Sequence, residues 1–154
     1  MPHQLEEILS RVPFFEGMAE GELALIAGCG RNVHLEAGET IFRQGDAADS
    51  FFVVRHGTVA VGNFVPPRGD LVIETLEAGD LLGWSWLFPP YRSHFDARAL
   101  TPVRATQFDG ACLRDKCAAD PALGYDLMRH FAQVLIERLQ WTRLRILDIY
   151  GDGR

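Results

Sequence analysis

Near the start of the chain, apolar residues fall at helical spacing in two short stretches: Leu5, Ile8 and Val12 within 4–12, and Leu23, Leu25 and Ile26 within 20–27. Pro13-Phe14-Phe15 separates these two predicted helices. From residue 32 to 108 the pattern changes to short apolar runs, at 51–54, 59–61, 71–73 and 103–108. Gly38, Gly45-Asp46, Gly57, Gly69-Asp70 and Gly79-Asp80 punctuate them. Strands of about five residues, divided by turn residues roughly every 8 to 12, predict an antiparallel barrel or sandwich. Leu35-Glu-Ala-Gly-Glu39 recurs as Leu76-Glu-Ala-Gly-Asp80, which places the same kind of Gly turn at two corners of one β unit. Two short echoes are too few for a repeat array, so the expectation is a jelly roll.

Helical character returns after Phe108. Asp109 is placed to cap a short helix carrying Cys112, Leu113 and Cys117. Asp120-Pro121 offers an N-cap oxygen and a proline at the first helical position, so a long helix is expected over 121–150, roughly 43 Å at 1.5 Å per residue. Met128, Ala132, Leu135, Leu139, Thr142, Ile146 and Ile149 are spaced alternately four and three apart along it. That is a coiled-coil seam; the alternative is an ordinary core helix, but a helix this long on so small a domain favours one shared between two subunits, and predicts a parallel homodimer with Met128, Leu135, Leu139, Thr142, Ile146 and Ile149 at the interface. A second stripe, Leu127, Phe131, Val134 and Leu147, is left to cover the barrel. The fold class is therefore α+β: a β jelly-roll barrel with N-terminal helices over 1–120, a long C-terminal dimerisation helix over 121–150, and a tail at 151–154.

With 154 residues, 47% of them hydrophobic, the chain has material for one core and not for two ordinary domains. The formal charge of −6 gives no general attraction to phosphate backbones. Cys29, Cys112 and Cys117 are an odd count without CxxC spacing, which reads as free thiols in a reducing compartment. The N-terminus has neither a basic start nor an apolar core, and no run approaches the roughly 20 apolar residues of a membrane span. A cytoplasmic location without membrane contact is expected.

Jelly rolls also host metal enzymes, which need clustered His and carboxylate ligands. His34, His56 and His94 are isolated in the sequence, and His3 and His130 fall in helical segments. His94 and Asp96 have the spacing of a same-face strand pair, which is commoner as a solvated pair than as a ligand set. The sequence has no G-x-S-x-G, no H-E-x-x-H and no P-loop. Neither enzymatic activity nor a metal or other resident cofactor is expected.

The strongest signal is Ile41-Phe42-x-x-Gly45-Asp46-x-Ala48-x-x-Phe51-Phe52-Val53-Val54-x-x-Gly57, followed by Val59-Ala60-Val61, Gly79-Asp80 and Leu82-Gly83. With the opening Leu9-x-x-Val12-Pro-Phe-Phe15 and the helical Arg138-Leu139-Gln140-x-Thr142, it resembles the cyclic-nucleotide-binding domains of the catabolite activator (Crp/Fnr) superfamily. The resemblance covers nearly the whole chain to about Tyr150. It implies a cyclic nucleotide or related small anionic effector, bound where a short helix begins at a glycine. In that family a Glu after the glycine binds the ribose, and an Arg some ten residues on pairs with the phosphate.

Residues 83–99 depart from this pattern. Gly83 and Leu87 match, but Trp84 stands at the Glu position and Trp86 at one that is usually small. Arg92-Ser93 is similar to the phosphate-binding pair, yet counted back from Ala97-Arg98-Ala99 it falls one residue early, a shift that inverts facing on a strand. The candidate ligand-binding set is Val61, Ile73, Gly83, Trp84, Ser85, Trp86, Arg92, Ser93 and Thr142. Val61 and Ile73 match pocket-floor positions. Trp84 and Trp86 read equally as a stacking surface for a planar ligand and as a plug in an unused pocket. Thr142 reads equally as a contact to the base across a dimer and as a polar residue fixing the seam's register. The family's transcription factors continue into a winged helix-turn-helix, whereas this sequence stops at Gly151-Asp-Gly-Arg154, so direct sequence-specific DNA binding is not expected. The expected function is a sensor domain signalling through dimerisation or an unknown protein partner. The rivals are a degenerate member serving as a protein interaction module, and a transcription-regulator relative lacking its DNA-binding domain.

Overall fold

A computed structural model describes residues 2–63 and 71–152, with the backbone alone given for residues 2–4, 6 and 141–152. Helix α1 (Pro2–Ser10), a 3-10 turn (Pro13–Phe15) and α2 (Glu20–Ala27) precede eight strands. These are β1 (Gly30–Leu35), β2 (Thr40–Phe42), β3 (Ser50–His56), β4 (Val59–Asn63), β5 (Leu71–Leu76), β6 (Leu81–Leu82), β7 (Asp96–Ala99) and β8 (Val103–Asp109). A second 3-10 turn (Ser85–Leu87) lies between β6 and β7, and α3 (Gly110–Ala119) and α4 (Pro121–Asp152) close the chain. The strands form two antiparallel four-stranded sheets, ordered β1-β8-β3-β6 and β2-β7-β4-β5. The α+β jelly roll is as expected, and α4 runs two residues past the expected end.

Strand β3 shows why Phe51-Phe52-Val53-Val54 is an unbroken apolar run, because its sheet is covered on both faces. Phe52 and Val54 join Val59, Val61, Ala97 and Val103 in the core between the sheets. Phe51 and Val53 join Leu9, Phe15, Ile26, Phe108, Leu113 and Phe131 in a second core under the helices. Within it Phe51 stacks on Phe108 at 4.6 Å and on Trp86 at 5.3 Å between ring centroids.

Among the described residues the repeated turn is present three times, one more than the echo in the sequence indicates. Gly38, Gly45 and Gly79 all have φ between 86° and 94°, a left-handed conformation that glycine adopts without a Cβ clash. In each turn the carboxylate of the following residue accepts from the backbone N–H three positions earlier: Glu39 from Glu36, Asp46 from Arg43, and Asp80 from Glu77, at 2.9–3.2 Å. The two helix caps also form. Asp109 accepts from Cys112 N at 3.0 Å and Asp120 from Leu123 N at 3.3 Å.

One expectation is corrected. Cys29 and Cys112 are joined in a disulfide, and only Cys117 is a free thiol. Strand pairing brings the two together: Gly30 lies opposite Phe108, so Asp109 N donates to Cys29 O at 2.9 Å. The first turn of α3 then sets Cys112 over Cys29, with 5.7 Å between their Cα atoms. Among the described residues no helix is long and apolar enough to cross a membrane.

Candidate functional site

The segment after β6 builds the mouth of the barrel. Gly83 has φ +91°, which turns the chain away from β3 and starts the 3-10 turn with Trp84 as its N-cap residue. Trp84 and Trp86 then part company. A 3-10 turn advances about 120° per residue, so positions two apart lie on different faces. Trp86 is fully buried, stacked on Phe51 and 5.6 Å from the Phe131 ring. Trp84 is half-buried and lines a cavity with Val61, Leu82, Phe42 and Phe95.

The polar lining is Ser50, Ser85, Ser93, His94, Glu74 and Arg138. Ser85 Oγ and His94 Nδ1 are 3.5 Å apart, and Gln107 Nε2 donates to Ser50 Oγ at 2.9 Å. Arg138 comes from α4. Its guanidinium sits 4.9 Å from the centre of the Trp84 ring, within cation–π range. Its Nε lies 3.7 Å from Glu74 Oε1, and its Nη2 donates to Leu81 O. Burial pulls this guanidinium below its usual pKa, against the opposing pull of Glu74 and Asp80, but an arginine remains charged at neutral pH. The cavity left beside Trp84 and Arg138 measures about 40 Å³, against roughly 300 Å³ or more for a small-molecule site.

Val61, Gly83, Trp84, Ser85 and Ser93 of the expected set come together here. Three others do not. Trp86 belongs to the helix-side core and does not line the cavity, so it neither offers a stacking surface there nor plugs it. Ile73 lines a neighbouring groove, between β5 and α4, beside Phe14 and Val134, which meets the cavity at Glu74 and Arg138. Successive strand residues face opposite ways, and it is Glu74 that pairs with Val61 in the β4–β5 register and shares its cavity. Arg92 is exposed and spends its Nη1 on Gly45 O at 2.9 Å. Its backbone pairs with Ala47, and the extra residue is taken up before β7 begins at Asp96, leaving buried Ser93 toward the cavity and Arg92 outside it. Thr142, Ile146 and Ile149 lie where only the helix backbone is described.

Sequence reasoning missed Glu74 and Arg138 as site residues. The string Arg138-Leu139-Gln140-x-Thr142 does not by itself mark Arg138 as a cavity residue. Its signal was position: on α4 it follows the buried Leu123, Leu127 and Phe131 at spacings of four, four and seven. Among the described residues no three His, Cys, Asp or Glu side chains converge as metal ligands.

The cyclic nucleotide-binding domain family matches residues 32–120, more than half of the chain. A CRP-like cAMP-activated global transcriptional regulator of Mycobacterium tuberculosis is 27% identical over 145 residues, covering 94% of this chain and 63% of that protein. The chain thus spans less than two thirds of the length of the curated relatives it matches. Among solved structures, the N-terminal domain of a transcriptional regulator from Streptomyces coelicolor superposes with a TM-score of 0.68 at 26% identity, covering 85% of this chain and 94% of that one. A cyclic nucleotide-binding domain from Methylobacillus flagellatus shares the fold with a TM-score of 0.79 at 20% identity, over 96% of this chain and 83% of its own. The match across both sheets, with relatives over nearly the whole length, makes this chain a member of the cyclic nucleotide-binding domain family.

Proposed function

We propose that this chain is a non-catalytic regulatory sensor domain, in which a small anionic effector entering the Trp84 cavity pairs with Arg138, draws it off Glu74 and Leu81, and so repositions α4. The observation that carries the reading is the reach of Arg138: one side chain on the long helix touches the Trp84 ring, Glu74 and the end of β6 together. The mycobacterial relative's description as a cAMP-activated regulator supports an effector-driven output. That output runs through pairing of α4 with a second copy or through a protein partner. Met128 and Leu139 are exposed on α4, with Leu135 half-buried between them, and burying such side chains is worth roughly 1.5 to 3 kcal/mol each.

Cyclic AMP itself should bind weakly. Trp84 replaces a carboxylate acceptor, Arg92 is turned out of the cavity, and each lost charged hydrogen bond costs about 1.5 to 3 kcal/mol. Calorimetry and native mass spectrometry with a nucleotide panel test this. The expected result is binding of an anionic ligand that Arg138→Met weakens, with a Kd for cyclic AMP above about 1 μM. Submicromolar cyclic AMP binding overturns the altered-site reading. In light scattering, a monomer at tens of micromolar overturns the α4 homodimer.

The small cavity favours a second reading, a degenerate member that binds no nucleotide and serves as an interaction module. A panel without any bound nucleotide or other anion supports it over the sensor.

A further inference from the structure

We propose that Cys29 and Cys112 form a reversible thiol–disulfide site that fastens α3 to the corner between α2 and β1. The pair is bonded across 83 positions of sequence, and the same two elements are held together by contacts that do not need the bond. Asp109 N donates to Cys29 O at 2.9 Å, and Lys116 Nζ donates to Leu25 O at 2.6 Å. Reduction therefore leaves the two sulfurs close, and the bond re-forms between neighbours at high effective concentration.

The two sulfurs differ in access. Cys29 is buried and Cys112 is partly exposed, so a reducing dithiol attacks through Cys112. Its thiolate bonds to Cys112 Sγ, the S–S bond breaks, and Cys29 leaves as a thiolate and takes a proton. The reductant's second thiol then attacks the mixed disulfide. Cys112 departs as a thiol, and the reductant is left oxidised to its own disulfide, two electrons having passed to the protein. Oxidation is the reverse exchange with a disulfide. Cys117 stands aside: burial and nearby Asp120 push its thiol pKa up, which keeps it protonated and a slow competitor.

The bond's state bears on the cavity because α3 seats the segment beside it. Arg114 donates to Trp86 O, Gly110 N donates to Asp49 O at 2.7 Å, and a Cβ on Gly110 would lie 3.1 Å from Trp86 Cβ. The site goes beyond the effector reading and does not rest on it, since it is tested without any ligand.

The test is alkylation of the whole chain under denaturing conditions after equilibration with oxidised glutathione or with dithiothreitol, read by intact mass. The expected result is one labelled cysteine, Cys117, after oxidation and all three after reduction. Cys117→Ser should keep the bond, and the Cys29→Ser/Cys112→Ser pair should lose it. Reduction should lower the wild-type Tm by on the order of 10 °C and raise hydrogen exchange over residues 84–88. Equal labelling of all three cysteines after oxidation overturns the redox site, whatever the cavity binds. A bond that forms without changing exchange at 84–88 overturns its link to the cavity.

Discussion

The two tryptophans flanking Ser85 give the sharpest quantitative test of this fold. Trp86 has no exposed surface and touches two aromatic rings. Replacing such a side chain with alanine removes its transfer free energy and leaves a cavity, together about 3–5 kcal/mol. Stability of a domain is some 5–15 kcal/mol, so Trp86→Ala should forfeit a large part of it. At about 2–4 °C per kcal/mol for a chain of this size, its Tm should fall by roughly 10 °C. Trp84 is half-buried, and its main specific partner is the Arg138 guanidinium. Trp84→Ala should cost about 1 kcal/mol or less beyond its modest lost burial. A third variant separates packing from polarity. Trp86 Nε1 has no hydrogen-bond partner among the described residues, so Trp86→Phe gives up volume but also an unsatisfied buried N–H, and should stay within about 1.5 kcal/mol of wild type. Urea unfolding followed by circular dichroism measures all three. The reasoning fails if Trp86→Ala unfolds within 1 kcal/mol of wild type, or if Trp84→Ala is the more damaging substitution.

Three further outcomes follow from local geometry. Burial and the neighbouring Asp126 hold the Glu22 carboxyl above its ordinary pKa, so folding favours its protonated form. The stability it contributes is complete at low pH and is lost as pH rises through the raised value. Glu22→Gln should therefore melt above wild type at pH 7, with the gap closing below about pH 4; equal gaps at both pH values in thermal scans would refute this. Asp109→Ala removes the α3 cap and should cost about 1 kcal/mol, or 2–4 °C in Tm. Gly57 has φ +95°, and a Cβ there would sit 2.3 Å from Pro102 O, so Gly57→Ala should destabilise by roughly 2 kcal/mol or more in urea unfolding, and a change under 0.5 kcal/mol contradicts it.

What could be read from the sequence was what depends on neighbours along the chain. Asp109 and Asp120 cap the helices they were expected to cap, and the Gly turns at 38 and 79 sit at strand corners, because caps and turns are fixed within four residues. Side-chain facing was harder. Ile73 and Glu74 are adjacent, so the β4–β5 register, with its shift between Val61 and Gly62, decides which one shares the cavity with Val61. Trp84 and Trp86 looked alike in sequence and were separated by a single 3-10 turn. The Cys29–Cys112 bond was illegible for a different reason: it follows from β1 pairing with β8, a contact between distant segments that no local spacing announces. Arg138 was hidden likewise, since only the tertiary placement of α4 brings it over Trp84.

Helix α4 is held from Leu123 through Leu127 and Phe131 to Arg138, and it continues to Asp152. From Arg138 to that end is about 21 Å of axis, so a tilt of about 5° at the Arg138 contact displaces the far end by about 2 Å. Under the proposed function, the helix is a pointer pivoted at the barrel mouth. A shift of a few tenths of an ångström where the guanidinium meets the indole would then be magnified with distance along the rod, and the tip would be where a change too small to see at the cavity became large enough for another surface to read.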